Sequence, residues 1–409
     1  MLLSTIERNI ERLSPADREE MARRIRLAEL RARAGPLTQL ELMVSTKCSM
    51  RCDYCWLDKR DGRNMPLAVA KKALDLLLAS AGDSKQLTVV LFGGEPLLNF
   101  GMIRRFIPYA ESRAAAMERE IGWSLTTNGL HLSKDAILLA RDHGFNLLLS
   151  IDGQPGTHDA HRRTASGQPT FPAVMRGLDL LQRYQGWTGA RMTVTPASCR
   201  SLPENFRFLV GLGINQFIIG PDNDARWRRA DLDAYSQSWR EVTRIYHSEK
   251  AGGRALRMNA VEQREEKDLE HVWGCGAGTA SICVDPAGDL YPCSRFLGNE
   301  ASEKAFWMGT LQDGFRNLGA LHDLLDRRVT IRHGCMRCRY RSRCSGGCPA
   351  TNYRHRGSIY WANALDCRLA REFASIGDDA LPRAVHLPRV AFEDTAIPYI
   401  DLGLREEET

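Results

Sequence analysis

The chain has 409 residues, of which 43% are hydrophobic, and this is enough apolar material for two packed domains. Its formal net charge of +6 is mild for this length and does not by itself indicate nucleic-acid binding. No apolar stretch approaches the roughly 18 residues of a membrane span. We therefore expect a cytoplasmic protein with neither a nucleic-acid nor a membrane partner, and the N-terminal residues lack the pattern of a signal peptide.

Residues 1–36 are rich in arginine and predict an N-terminal helical segment. Ser14 followed by Pro15 is typical of a helix start, and Gly35 with Pro36 marks its end. Two interpretations follow. The segment is either a solvated helical hairpin packed on the body of the protein or a basic docking surface for an acidic peptide.

Residues 37–250 alternate strand-like and helix-like patterns and are expected to form one domain. Strand-like runs lie at 38–44, 87–92, 122–127, 145–151, 190–195 and 214–220. Helix-like segments lie at 67–81, 100–118, 133–143, 171–184, 203–212 and 229–247. Such βα units in series predict an α/β fold with a parallel sheet, here an open, partial (β/α)6 TIM-like barrel. Functional residues are expected at the carboxyl ends of its strands.

Three cysteines, Cys48, Cys52 and Cys55, follow the first strand-like run in the order C-x3-C-x2-C. Three thiolates on one loop can hold three irons of a [4Fe–4S] cluster and leave the fourth iron open to a small molecule. Two other kinds of site use cysteines at such spacing. A structural zinc site wants a fourth ligand, which no nearby His or Cys supplies. Disulfides would leave one cysteine over in a chain without secretory context.

Short polar segments end the next three predicted strands. Gly93-Gly94-Glu95 follows the second, and its glycines allow the backbone to pass close to a ligand beside a carboxylate. Asn128 lies in a Thr-Thr-Asn-Gly run, Ser150 in a Ser-Ile-Asp-Gly run, and Arg162 ends a His-Asp-Ala-His-Arg run. As single residues these are common turn formers, Asp152 included.

Residues 251–375 predict a second, cysteine-dense domain, and 376–409 a C-terminal tail. The second domain is poor in apolar periodicity, so metal clusters would be needed to hold it together. Its cysteines are Cys275, Cys283, Cys293, Cys335, Cys338, Cys344, Cys348 and Cys367. The chain has twelve cysteines, and their uneven clustering favours metal ligation over a disulfide framework. The remaining one, Cys199, is interpreted as a small core residue.

From the first cysteine motif onward the chain resembles the radical S-adenosylmethionine (SAM) superfamily. The resemblance implies that SAM binds the open iron through its amino and carboxylate groups and yields a 5′-deoxyadenosyl radical that abstracts a hydrogen atom. It assigns Gly93, Gly94 and Glu95 to the SAM amino group and suggests that Asn128 and Ser150 line the ribose. Arg162 would meet the SAM carboxylate, because a guanidinium suits a bidentate contact.

The second domain resembles the SPASM domain, which carries two auxiliary iron–sulfur clusters. The resemblance assigns four cysteines to an outer cluster: Cys335, Cys338, Cys344 and Cys367. It assigns three to an inner cluster: Cys275, Cys293 and Cys348. Cys283 is either the fourth inner ligand or a core residue, since neighbours on a strand face opposite sides. A zinc ribbon is the rival interpretation.

Two positions depart from the anaerobic sulfatase-maturase pattern. Ser281 stands where these maturases have a further cysteine, and Ser294 stands where they have an aspartate that accepts a proton. The serine at 281 leaves either Cys283 as the fourth inner ligand or an open iron that could hold a substrate thiolate, and the serine at 294 weakens a sulfatase-maturase interpretation.

As a whole the resemblance implies an oxidoreductase with three [4Fe–4S] clusters and SAM that modifies a ribosomally made precursor peptide. A one-electron donor such as flavodoxin or ferredoxin would be its partner. A sulfatase-maturase-like enzyme, a small-molecule radical SAM dehydrogenase and a zinc-stabilised binding protein remain alternatives. The sequence identifies no catalytic acid or base.

Overall fold

The structure, a computed structural model, describes residues 14–57, 62–258, 261, 275–329, 338 and 346–371. Its strands are β1 (Gln39–Ser45), β2 (Gln86–Gly93), β3 (Glu120–Thr127), β4 (Leu147–Ser150), β5 (Gly189–Val194), β6 (Gln216–Pro221), β7 (Arg257–Met258), β8 (Ser281–Val284), β9 (Asp289–Tyr291), β10 (Gly309–Thr310) and β11 (Gly314–Phe315). Its α-helices are α1 (Pro15–Ala34), α2 (Leu67–Ser80), α3 (Phe100–Ala115), α4 (Lys134–Asp142), α5 (Pro155–His161), α6 (Phe171–Tyr184), α7 (Leu202–Gly211), α8 (Arg229–Ala251), α9 (Glu300–Phe306), α10 (Leu318–Val329) and α11 (Pro349–Arg356).

The strands form one sheet in the order β11-β10-β9-β8-β1-β2-β3-β4-β5-β6-β7. All pairs from β8 through β1 to β7 are parallel, whereas the pairs that join β8, β9, β10 and β11 are antiparallel. The carboxyl ends of the parallel strands therefore share one edge of the sheet, which is the edge that carries the cysteine loop after β1.

The predicted α/β fold with an open, partial barrel is confirmed, and each of the six predicted strands is present within a few residues of its expected bounds. Two parallel strand pairs were not predicted. The short β7 pairs with β6, and β8, which lies in the predicted second domain, pairs with β1. One sheet thus crosses the expected domain boundary at 250, and the boundaries themselves remain predictions.

Alternate residues of β1 face different environments, as the two-residue period of a strand requires. Leu40, Leu42 and Val44 pack in the core between the sheet and its helices. Met43 instead packs with Cys283 and Tyr291 on the opposite, inner face of the barrel. Side chains on this inner face connect β1 directly with the C-terminal region.

Helix α1 begins as expected, because the Ser14 side chain accepts a hydrogen bond from the backbone N–H of Asp17. Its arginines contact the C-terminal region. The Arg31 guanidinium donates to the carbonyls of Gly278 and Thr279 at 3.2 and 3.1 Å, and burial lowers the pKa of Arg31 to about 10. These contacts support the interpretation of a helix packed on the body, while residues 1–13 lie outside the described part of the chain.

None of the helices in the described residues combines the length and the hydropathy that crossing a membrane requires.

We expect Arg31→Met to lower the free energy of unfolding by about 1.5–3 kcal/mol, because it removes charge-assisted hydrogen bonds and leaves the two carbonyls without their donor. Urea titration followed by tryptophan fluorescence measures this. The control is Arg26→Met on the same helix, since Arg26 makes only an exposed 3.5 Å pair with Glu29 and should change stability by less than about 0.5 kcal/mol. Equal effects of the two substitutions would contradict the assigned role of Arg31.

Candidate functional site

The three cysteines of the loop after β1 are close enough for their thiols to influence one another. Burial raises the pKa of Cys52 to about 12, and the neighbouring thiols of Cys55 and Cys48 raise it further. The Arg162 guanidinium opposes this shift. Because a thiol is deprotonated when it binds a metal, a buried cation at this position favours the thiolate form.

The two glycines after β2 allow their segment to pack closely against the backbone that follows β1. The N–H of Gly94 donates to the carbonyl of Ser45 at 2.8 Å, and the N–H of Glu95 donates to that of Lys47 at 2.7 Å. A Cβ on Gly94 would lie 2.3 Å from the Lys47 oxygen and 3.0 Å from the Cys48 Cβ. A Cβ on Gly93 would lie 2.1 Å from the Ser45 oxygen. The glycines thus position the cysteine loop, a role that the sequence did not indicate.

Glu95 is fully buried and joins the ends of β2 and β3. Its carboxylate accepts hydrogen bonds from the backbone N–H groups of Leu97 and Asn128, at 3.1 and 2.7 Å, and from the Thr127 hydroxyl at 2.8 Å. Burial raises the pKa of Glu95 to about 7, although these three hydrogen bonds act in the opposite direction. A carboxylate has about four lone-pair sites, so one remains for a further donor such as an amino group.

Asn128 lies directly against the cysteine loop. Its Nδ2 is 3.7 Å from the Cys48 sulfur, and its Oδ1 accepts a hydrogen bond from the backbone N–H of Leu130. Ser150 is buried at the end of β4, two residues before Asp152. The assignment of both residues to the SAM ribose remains a prediction.

Asp152 is the buried counter-charge of Arg162 and does more than form a turn. The Arg162 Nε and Nη2 donate to its two carboxylate oxygens at 2.8 and 3.0 Å, and the Thr193 N–H donates to it at 2.8 Å. The Tyr54 hydroxyl, which lies between Cys52 and Cys55, also donates to it. Burial alone would raise the pKa of Asp152, but Arg162 holds it below its usual range.

This pairing changes what Arg162 has available for a ligand. The Nε and Nη2 groups are occupied by Asp152. The assignment of Arg162 to the SAM carboxylate remains a prediction. The residue after Arg162 also contacts the cysteine loop, since the Arg51 N–H donates to the Arg163 carbonyl at 2.7 Å.

A second group of cysteines lies in the C-terminal region. Cys275, Cys293 and Cys348 share one apolar cluster, and burial raises the pKa of Cys293 well above its usual value, with Glu41, Cys275 and Cys348 adding to the shift. These are the three residues that the resemblance assigns to the inner cluster. Of the residues assigned to the outer cluster, Cys338 and Cys367 are half-buried, whereas Cys335 and Cys344 lie outside the described residues.

Cys283 occupies a different environment from the other inner-cluster candidates. It is fully buried on β8, opposite Glu41 of β1, and packs with Met43 and Tyr291. Burial raises the pKa of Cys283, and the charges of Glu41 and Cys293 add to this. Its ligation of the inner cluster remains a prediction.

Glu41 is a buried residue of this site that sequence reasoning missed. Its Oε2 accepts a hydrogen bond of 2.7 Å from the backbone N–H of Ser294, directly after Cys293. A carboxylate therefore reaches the Cys293 segment from β1, although Ser294 itself carries none. A charged residue inside an apolar strand was the available signal, but the pairing of β1 with β8 was needed to interpret it.

The donor chemistry of both cysteine groups fits iron–sulfur clusters, whose irons are held by thiolates. The loop of Cys48, Cys52 and Cys55 offers three such donors, and Cys275, Cys293 and Cys348 offer three more. Across the described residues, no three His, Cys, Asp or Glu side chains are gathered around one metal-ion position. The fit of the two sites to iron–sulfur clusters thus rests on the chemistry of the thiols, on their closeness to one another and on the Gly-Gly segment that packs against Cys48.

Residues 42–220 match the model of the Radical SAM superfamily, and this part of the chain is a radical SAM domain. The chain is 24% identical over 331 residues to a serine-type anaerobic sulfatase-maturating enzyme of Klebsiella aerogenes. The matched region covers 75% of this chain and 78% of the relative. The chain is 20% identical over 329 residues to a cysteine-type enzyme of Clostridium novyi, covering 76% of this chain and 87% of the relative.

Two solved structures share the fold. One is anSMEcpe with bound AdoMet and Cp18Cys peptide, with a TM-score of 0.67, 18% identity, and coverage of 84% of this chain and 97% of that chain. The other is Streptococcus suis SuiB bound to the precursor peptide SuiA, with a TM-score of 0.58, 18% identity, and coverage of 87% and 81%. At this identity the likeness concerns the fold alone.

We expect Gly94→Ala to displace the cysteine loop at a cost of about 1–3 kcal/mol, because its Cβ would collide with backbone atoms and with Cys48. The variant should retain less iron after anaerobic reconstitution and should melt at a lower temperature. Gly101→Ala is the matched control, since a Cβ at this position in α3 meets no atom within 4 Å. Full iron retention in Gly94→Ala would show that the loop tolerates the displacement.

We expect Asp152→Asn to destabilise the protein by about 3–5 kcal/mol, because it leaves the buried Arg162 charge without its partner. The change is measured as a shift of the urea unfolding curve. Asp179→Asn is the control, because Asp179 pairs with Arg183 on an exposed helix face and such pairs contribute about 0–1 kcal/mol. Comparable shifts for the two variants would contradict a supporting role for the Asp152–Arg162 pair.

Proposed function

We propose that this chain is a radical SAM enzyme with a SPASM-type C-terminal domain that modifies a ribosomally made peptide. The observation that carries the proposal is that two groups of thiols are both connected to β1. Cys48, Cys52 and Cys55 follow its carboxyl end, while Cys275, Cys293 and Cys348 lie in the region that pairs with its outer edge through β8.

Within this proposal the first thiol group holds the SAM-binding cluster. Glu95 has one lone-pair site left for the SAM amino group, and Asn128 lies between its carboxylate and the Cys48 sulfur. The Asp152–Arg162 pair holds the loop in place through the Tyr54 hydroxyl, which donates to Asp152. When bound, SAM and its cluster would supply the radical that abstracts a hydrogen atom from the substrate.

The second thiol group is proposed to hold an inner auxiliary cluster, with the outer cluster on Cys335, Cys338, Cys344 and Cys367. An auxiliary cluster would accept the electron that a substrate radical loses, which leaves an oxidised residue or a cross-link. Glu41 places a carboxylate beside this group and holds the backbone that follows Cys293. A one-electron donor such as flavodoxin or ferredoxin would complete the cycle.

A second candidate function is maturation of a sulfatase. The similarity to sulfatase-maturating enzymes over three quarters of the chain supports it. The Ser294 departure weighs less than the sequence suggested, since Glu41 brings a carboxylate to the same segment. The structural neighbours include complexes with the SuiA and Cp18Cys peptides, which support a peptide substrate in either function and do not rank the two. Incubation with a sulfatase peptide and with the precursor-like peptides of neighbouring reading frames discriminates the two functions.

We expect simultaneous replacement of Cys48, Cys52 and Cys55 by Ala to abolish reductive formation of 5′-deoxyadenosine while iron bound to the C-terminal region remains. Product chromatography and iron assays after anaerobic reconstitution measure both quantities. Cys199→Ala is the control, because this buried thiol donates to the Pro196 carbonyl and lies in neither thiol group. Cleavage of SAM by the triple variant at the parent rate would remove the basis of the proposal.

We expect Cys283→Ala to produce a site-differentiated or degraded inner cluster in the Mössbauer spectrum, because the thiolate would be the fourth ligand. Cys199→Ala should leave the spectrum unchanged. An unaltered spectrum in Cys283→Ala would make Cys283 a core residue of β8. The inner cluster would then have an iron open to the substrate.

A further inference from the structure

Arg295 lies where three functional segments of the chain meet. It follows Cys293 by two residues in a short turn, Ser294–Phe296. Its guanidinium carbon is 5.3 Å from the ring centroid of Trp56, which directly follows Cys55. The Trp56 ring is in turn stacked on Phe92 at 6.4 Å, immediately before the Gly-Gly-Glu segment.

The hydrogen-bonding capacity of Arg295 is poorly used for a buried cation. The residue is only 7% exposed, yet its Nε has no hydrogen-bond partner among the described residues. Its Nη2 is 3.5 Å from the Thr351 hydroxyl and 3.7 Å from the Asp224 carboxylate, and both distances are long. A guanidinium offers five N–H donors, so most of its capacity is left for a group that the described residues do not supply.

Two other arginines, the half-buried Arg354 and the buried Arg162, have well-formed carboxylate partners. Arg354 forms a fork with Asp224 at 2.9 and 3.1 Å and also donates to the Arg295 carbonyl at 2.6 Å. Arg162 forms its fork with Asp152 at 2.8 and 3.0 Å. A buried arginine with unmade hydrogen bonds lowers the stability of the fold unless another group, such as a ligand, accepts them.

The acidic groups around Arg295 are already engaged. Asp224 gives its close contacts to Arg354, and the Asp222 carboxylate accepts hydrogen bonds from the backbone N–H groups of Asp224 and Ala225 at 3.0 and 3.2 Å. A carboxylate from a ligand would therefore find the fork geometry of Arg295 available. Beside it lie the half-buried rings of Trp56 and Phe92, which suit an apolar group.

We propose that Arg295 is a substrate-binding residue that takes a carboxylate of the peptide, next to an apolar side chain held against Trp56 and Phe92. This inference rests on the proposed function, since it places the substrate between the two thiol groups. The carboxylate comes either from an Asp or Glu side chain or from a free C-terminus. A planar, bidentate contact of this kind is what a guanidinium recognises best.

The test uses the reconstituted full-length protein with SAM present and libraries of short random peptides, one with free and one with amidated C-termini. We expect the wild type to enrich Asp and Glu over Asn and Gln by about ten- to a hundred-fold in the amidated library, or to require the free C-terminus. Arg295→Gln should lose this preference, and Arg295→Lys should keep a weaker one because it retains charge without the fork. Arg257→Gln is the matched control and should keep it, because the Arg257 guanidinium lies over the Trp187 ring at 4.6 Å and belongs to neither thiol group.

Absence of any carboxylate preference in the wild type would overturn the inference, as would its persistence in Arg295→Gln. Loss of the preference in Arg257→Gln to the same extent would also overturn it, because the effect would then not be specific to Arg295. If Arg295→Gln loses its cluster absorbance or melts at a lower temperature, the inference is judged on Arg295→Lys instead. An undiminished carboxylate preference in Arg295→Lys would then overturn it. Failure of the proposed function is a separate result, namely wild-type protein that does not cleave SAM.

Discussion

The structure depends on the parallel pairing of β1 along both of its edges. Gln39 pairs with Thr88 of β2 on one side and with Ser281 of β8 on the other. The first edge places the Gly-Gly-Glu segment beneath the cysteine loop, and the second brings the C-terminal cysteines to the same sheet. Because β1 is common to both, the spacing between the two thiol groups is fixed by strand geometry and does not depend on a flexible linker.

Buried charges surround the two thiol groups, and in most cases they are paired within the chain. Arg162 is matched by the buried Asp152 with fork geometry, whereas the half-buried Arg354 forms its fork with the exposed Asp224. Glu41 is held by a backbone N–H. Buried pairs of this kind contribute little net stability but penalise any arrangement that separates them. They therefore favour one placement of the cysteine loops over alternatives.

The sequence predicted the barrel strands and the thiol groups because these have local signatures. Two-residue and helical periodicities identified β1 to β6, and the cysteine spacing identified the loop. Contacts between distant segments carry no such signature. Neither the pairing of β8 with β1, nor the fork of Arg162 on Asp152, nor the contact of Glu41 with Ser294 could be inferred, because each depends on the folded register. The Gly-Gly segment was identified, but its close approach to Ser45 and Lys47 was not.

The register of β1 with β8 also has a consequence for synthesis of the chain. The barrel strands β2 to β7 are made soon after β1, but its outer edge has no partner until Ser281 has left the ribosome. At roughly 5–20 residues per second, that edge waits on the order of 10–50 s. An unpaired strand edge invites association with other chains, and inward-pointing charged residues are one means of discouraging it. Glu41 is a charged residue of this kind on β1, buried in the folded protein.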